Sequence, residues 1–320
     1  MRMKILFLTD PYPNYAPDLL LHGLRKLLGP AVVDFPRKDC VYDGVLGLGV
    51  CPENQRCPGW FTPDVGLIDR DDIPAKVASD YFDLVICDVR AAGLLQRHFP
   101  ALPRRLALID GEDRPARIAP GPFIIFRRET DGTDFSIPLP MALPVEILQW
   151  IGDLDKTPKT HSVGFLGSSF DDGRREIMEA ITRAFPDALV AATRLPTEGD
   201  PLPEGRMGRG DYYRALQSCH VVLSLPGAGH DTFRFWENAA CNAVHLSASS
   251  PLFIPNDFSN GIHILRFSGV QTLQQTLDEA LRNPQQSQEM SERGRNHLAS
   301  HHLTEHRAAY LIDRARTALC

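Results

Sequence analysis

HVVLSLPGAGHDTFRFWENAACNAVHLS, residues 220–247, decides the fold. An apolar run from His220 to Leu225 stops at Pro226-Gly227-Ala228-Gly229. A helix-like segment follows over 233–241, and a second apolar run over 243–247. Short, non-alternating apolar runs suit strands buried on both faces. A helix between two of them makes a parallel strand–helix–strand unit.

The same rhythm extends in both directions. The second half holds further apolar runs at 162–167, 187–192 and 262–267, and helical spacing over 174–185, 211–217, 271–282, 287–299 and 304–318. The first half reads alike, with strands expected at 3–9, 31–35, 83–88, 105–110 and 122–127. Its first helix carries leucines at 20, 24, 27 and 28 and is stopped by Gly29-Pro30. Residues 36–72, rich in Gly, Pro and Asp, read as a long surface excursion. Between the halves, 138–161 holds four prolines and little strand signal.

These observations predict an α/β chain of two doubly wound, Rossmann-like parallel-sheet domains facing each other. The expected boundaries are 1–145 for the first domain, 146–161 for a linker and 162–302 for the second. A last helix at 303–320 is expected to return to the first domain. A chain of 320 residues agrees with two cores. In open parallel sheets ligands sit beyond the carboxyl ends of the strands.

Bulk properties exclude several classes. Net charge is -6, so no global basic field recruits nucleic acid. No run reaches the ~18 apolar residues of a membrane span. The start, MRMKILFLTD, has too short an apolar core for a secretion signal and reads as a buried strand. Seven cysteines, an odd number, fit reduced thiols in a cytoplasm. Cys51 and Cys57 lack the partners of a zinc site, and His297, His301, His302 and His306 read as a helical surface.

The quoted loop carries chemistry. Gly227 and Gly229 allow a sharp turn or close approach of a ligand. The following helix start, with His230 beside it, offers free N–H groups and partial positive charge to an anion. Arg234 adds a permanent cation, and Glu237, one turn on, suits the two hydroxyls of a ribose. Together they describe a nucleotide-diphosphate site. The alternative is a capped turn, with Asp231 or Thr232 as the cap and Arg234–Glu237 as a solvated pair. A second stretch, GFLGSSFDDGRRE, places Gly167 and Ser168 at a strand end, with Arg174 and Arg175 opening a helix and within reach of a phosphate. Neither stretch is a GxGxxG or Walker loop.

Tyr213-x2-Leu216-x-Ser218, Leu223-Ser224-Leu225-Pro226-Gly227 and Arg234-x2-Glu237-x2-Ala240 resemble the donor-site signature of exostosin-like and spore-maturation-type glycosyltransferases. FLGS with Arg174 and Arg175 is similar to the start of their donor domain, and DFPRK, IDGED and FRRE to stretches of the first half. The resemblance implies the GT-B arrangement and metal-independent transfer from a nucleotide sugar, UDP- or GDP-linked, with no other cofactor. It also implies that Arg234 meets the diphosphate and Glu237 the ribose. Cys241-Asn242 departs from the family's glycine-containing stretch.

Glycosyl transfer requires a base for the acceptor hydroxyl. Candidates end first-half strands: Asp10, Asp88, and Asp110, Glu112 and Asp113. Asp113 is ranked first and Asp10 second. Tyr12, Asp110 and Arg128 are expected to line the acceptor site, which takes a hydroxyl compound of unspecified class. Competing readings are a nucleotide-binding module without turnover, and an enzyme that glycosylates a DNA base.

Overall fold

In the computed structural model, residues 3–42, 68–99, 101–167, 172–192 and 209–319 are described. Cys51, Cys57, Ser168 and most of the 36–72 excursion lie outside them. The chain divides into two compact units. Unit 1 comprises Met1–Pro144, Pro251–Pro255 and His302–Cys320, and unit 2 comprises Val145–Ser250 and Asn256–His301.

Unit 1 is built on β1 (Ile5–Leu8), β2 (Val32–Phe35), β3 (Leu84–Asp88), β4 (Leu106–Asp110), β5 (Ile124–Arg127) and β6 (Ile137–Pro138). All pair in parallel in the order β2-β1-β3-β4-β5-β6. Helices α1 (Tyr15–Leu28), α2 (Ile73–Ala78) and α3 (Ala92–His98) belong to this unit. So does α10 (Thr304–Leu319), whose Ala308, Leu311 and Ala315 join the core formed by the strands and α1.

Unit 2 is built on β7 (His161–Gly167), β8 (Leu189–Ala192), β9 (Cys219–Ser224), β10 (Val244–Ala248) and β11 (Leu265–Phe267). They are parallel in the order β11-β10-β9-β7-β8. Its helices are α4 (Val145–Gly152), α5 (Asp172–Ala184), α6 (Arg209–Gln217), α7 (Phe233–Ala240), α8 (Val270–Arg282) and α9 (Pro284–His301).

The doubly wound α/β class read from the sequence is the observed one. The stretch expected to be a linker differs. Helix α4 opens directly after Pro144 and buries Ile147 and Ile151 in unit 2. Proline before a helix is compatible with extended backbone leading into it, so a high proline count did not mean irregular chain.

Each unit has a reversal of winding. In unit 1 the chain runs from β1 outward to β2, then crosses to β3 on the other side. In unit 2 it runs from β7 to β8, then crosses to β9. Ligands of such sheets bind at these switch points, beyond the carboxyl ends of β1 and β3, or of β7 and β9.

Candidate functional site

The switch point of unit 2 is where the quoted loop begins, directly after β9. Burial of Val221, Val222 and Leu223 fixes the strand, so the chain emerges at Leu225 with Pro226 ending any pairing. Gly227 donates its N–H to Gly229 O at 2.8 Å, which closes the turn. Neither glycine has a positive φ. Their value is therefore room rather than unusual backbone.

Arg174, from the first turn of α5, is buried and spent on this loop. Its Nε donates to Pro226 O at 2.6 Å and its Nη2 to Leu225 O at 3.0 Å. It braces the turn, because two carbonyls left beyond a strand end need a donor. Arg175 is exposed and pairs with Asp172 at 2.5 Å. His230 is exposed.

Helix α7 starts at Phe233, and Thr232 supplies no side-chain cap. Asp231 Oδ1 accepts the indole N–H of Trp236 at 2.8 Å. Arg234 lies in the first turn, half-buried, with its Nε closed off and unpartnered. Gly167, at the end of β7, makes room for it. A Cβ at Gly167 would lie 2.4 Å from Nη2 of Arg234. The end of β7 and the start of α7 therefore meet at a single guanidinium.

Glu237 is buried at 7% exposure. It is no solvated surface acid, because it accepts the Tyr213 hydroxyl at 2.8 Å and the Tyr212 hydroxyl at 3.2 Å. Burial and the nearby Glu237 carboxylate push the Tyr212 phenol well above its ordinary value, so Tyr212 stays a proton donor. Both tyrosines come from α6. Tyr213 was visible only as part of the family signature, and Tyr212 was missed. An aromatic pair on a helix reads as core until its hydroxyls have partners.

Behind the loop, Asn238 donates to Leu223 O at 3.0 Å and to Ser224 Oγ at 2.8 Å. His245 Nε2 also meets Ser224 Oγ, at 2.9 Å. Burial pushes His245 down to about 3, so it is neutral at pH 7. This network locks α7 to β9 and β10 and so fixes the direction of the helix start.

In unit 1 the expected acceptor residues separate sharply. Asp110 is buried and saturated, accepting from Arg127 Nε at 3.0 Å and from the N–H of Ala116 and Glu112 at 2.8 and 3.3 Å. These bonds make Asp110 an anchor for the loop after β4. Asp113 is 52% exposed and ion-paired with buried Arg128. Asp10 accepts the Tyr12 N–H at 2.9 Å, and Tyr12 is exposed. Lys38, fully buried, donates to the carbonyls of Asp10 and Tyr12 at 2.6 Å each and pairs with Asp18 at 3.0 Å. That fixes the loop after β1.

Among the described residues no group of three or more His, Cys, Asp or Glu is placed to hold a metal ion. His297 instead stacks on His263 at 4.2 Å. The described cysteines Cys87, Cys219 and Cys241 are buried free thiols. No helix among the described residues is long and apolar enough to cross a membrane.

Residues 174–313 match a family model described as glycosyl transferase-like. No curated protein matches the chain. A glycosyltransferase of Rickettsia africae ESF-5 superposes with a TM-score of 0.62 at 10% identity, covering 99% of both chains. Anabaena HepE, solved with UDP-glucose, gives 0.57 at 14% identity over 98% of this chain and 100% of its own. A sucrose-phosphate synthase of Thermosynechococcus elongatus gives 0.58 at 10% identity over 99% of each. At these identities the likeness is one of fold, the two-sheet GT-B type.

Proposed function

We propose that the chain is a glycosyltransferase that takes a nucleotide-diphosphate sugar at the switch point of unit 2 and passes the sugar to a hydroxyl acceptor. The observation that carries this is the convergence of Gly167 and Arg234, in the first turn of α7, beside a buried, tyrosine-held Glu237. The N–H groups of a helix start and a guanidinium suit a diphosphate in the ground state. They suit it better still as the sugar departs and negative charge gathers on the leaving oxygen. Glu237 retains acceptor capacity beyond the two tyrosine hydroxyls, because each carboxylate oxygen takes two hydrogen bonds. That leaves it able to receive ribose hydroxyls. UDP is the first nucleotide to test, since a structure of the same fold holds UDP-glucose.

Calorimetry of UDP and 2′-deoxy-UDP binding tests the assignment. R234A is expected to weaken UDP by at least ~1.5 kcal/mol, about tenfold, as for a charged hydrogen bond to an anion. E237Q is expected to weaken UDP more than its deoxy analogue. Unchanged affinity in R234A removes the diphosphate role, and equal losses in E237Q remove the ribose role.

A further inference from the structure

Arg234 and Glu237 lie three positions apart on α7, a spacing at which an arginine and a carboxylate on one helix meet. A pair between them would consume both groups. The guanidinium would be neutralised toward an anion, and lone pairs of the acid would be occupied. Among the described residues the two form no ion pair with each other.

Both meet the same hydroxyl instead. Tyr213, fully buried, donates to Oε1 of Glu237 at 2.8 Å and fixes that edge of the carboxylate. The Tyr213 ring is held edge-on by Trp150 of α4, at 5.4 Å between centroids. At the other edge the Tyr212 hydroxyl donates to Oε2 at 3.2 Å. That hydroxyl is also within reach of the Arg234 guanidinium, which acts on it through its charge and as a hydrogen-bond donor. Elsewhere the guanidinium has only close walls: the Phe165 ring at 5.2 Å and the bare Cα of Gly167, where a Cβ would lie 2.4 Å from Nη2.

A neutral hydroxyl suits this place. It donates its one proton to an acid and accepts from a guanidinium at the same time. A phenyl ring of the same size does neither. Burial first, and then the Glu237 carboxylate, keep the proton on the Tyr212 phenol, against the opposing pull of Arg234.

We propose that Tyr212 is a positioning residue, whose hydroxyl keeps Arg234 and Glu237 from pairing so that they act as separate contacts for the diphosphate and the ribose of one nucleoside diphosphate. The proposal rests on the glycosyltransferase reading and lies wholly within unit 2. Without the hydroxyl, Oε2 of Glu237 captures the guanidinium. The site then loses affinity for an anion although Arg234 is still present. That loss is recoverable, because removing the charge of the acid releases the guanidinium again.

The experiment is calorimetry of inorganic pyrophosphate and of UDP on wild type, Y212F, E237Q and Y212F/E237Q. Pyrophosphate carries no ribose, so the ribose role of Glu237 stays out of the measurement. Y212F is expected to weaken pyrophosphate about tenfold, the scale of a charged hydrogen bond. E237Q is expected to raise pyrophosphate affinity at least ~fivefold more in Y212F than beside Tyr212, a coupling that lost packing alone does not produce. Equal gains from E237Q in the two backgrounds overturn the proposal, as does wild-type affinity in Y212F. Failure of wild type to bind UDP is instead the failure of the donor reading. Where wild type binds no pyrophosphate, urea unfolding of R234A, E237Q and R234A/E237Q decides, each made in wild type and in Y212F. Losses that add beside Tyr212 but couple in Y212F, by about fivefold or more in the unfolding constant, uphold the role of the hydroxyl. Losses that add in both backgrounds, or couple equally in both, overturn it.

Discussion

At the scale of single residues, Asp88 carries a cost that can be measured without any substrate. Its carboxyl titrates at about 6 in the fold against an ordinary 3.8. Between those values the folded chain binds a proton that the unfolded chain has released. Stability therefore falls as pH rises through that window, and above it the full penalty persists, up to about 3 kcal/mol. D88N is expected to be more stable than wild type at pH 8 by about 1–3 kcal/mol and to lose the pH dependence that Asp88 contributes between 4 and 6. Urea melts at pH 4.5 and 8 check this, and a less stable D88N would mean that the carboxylate serves the fold. Sequence could single out Arg234 and Glu237 as candidates, because their residue types and spacing suit a diphosphate and a ribose. It could not separate Arg174 from Arg175, adjacent on one helix, of which only Arg174 turns onto the loop carbonyls. Nor could it separate Asp110 from Asp113, two acids in one short turn, one buried at 1% and the other 52% exposed.

At the scale of elements, the long strands were legible because parallel strands buried on both faces read as continuous apolar runs. The short pieces were not. Helices α2 and α3 span six and seven residues, and β6 two, too few for a period to register. Contacts between elements were equally hidden, and Gly23 shows why. Glycine within a helix such as α1 costs ~1 kcal/mol relative to alanine. A Cβ at Gly23, however, would lie 2.0 Å from the backbone oxygen of Thr304, at the start of α10. Beside it, His22 Nδ1 meets Thr304 Oγ1 at 2.9 Å. The close approach of the two helices outweighs helix propensity. G23A is expected to destabilise unit 1 by about 1–3 kcal/mol, the usual cost of overpacking, and not to stabilise it. Urea unfolding gives the sign directly.

At the scale of the whole molecule, the repeated architecture was legible as two rounds of alternating strand and helix. The path was less so. Nothing in the composition of Pro251–Pro255 announces that it belongs with unit 1. Those five residues contribute a backbone contact, Phe253 N to Thr130 O at 3.0 Å, which no local pattern encodes. Unit 1 also needs Ala308, Leu311 and Ala315 of α10 to close its core. Ending the chain after His301 is expected to speed amide hydrogen exchange in α1 and β1 by orders of magnitude, while β7 and β9 of unit 2 keep their protection. Equal protection of both sheets in the shortened chain would show that α10 is dispensable.

The discontinuous make-up of unit 1 sets a timetable for synthesis. The ribosome emits most of it first, yet the piece that seals its core comes last. Unit 2 is complete at His301, before its predecessor can finish. A nascent chain must therefore carry an open amino-terminal sheet, with its apolar face uncovered, past the birth of the second half. During that interval chaperone capture should concentrate on the earliest-made strands.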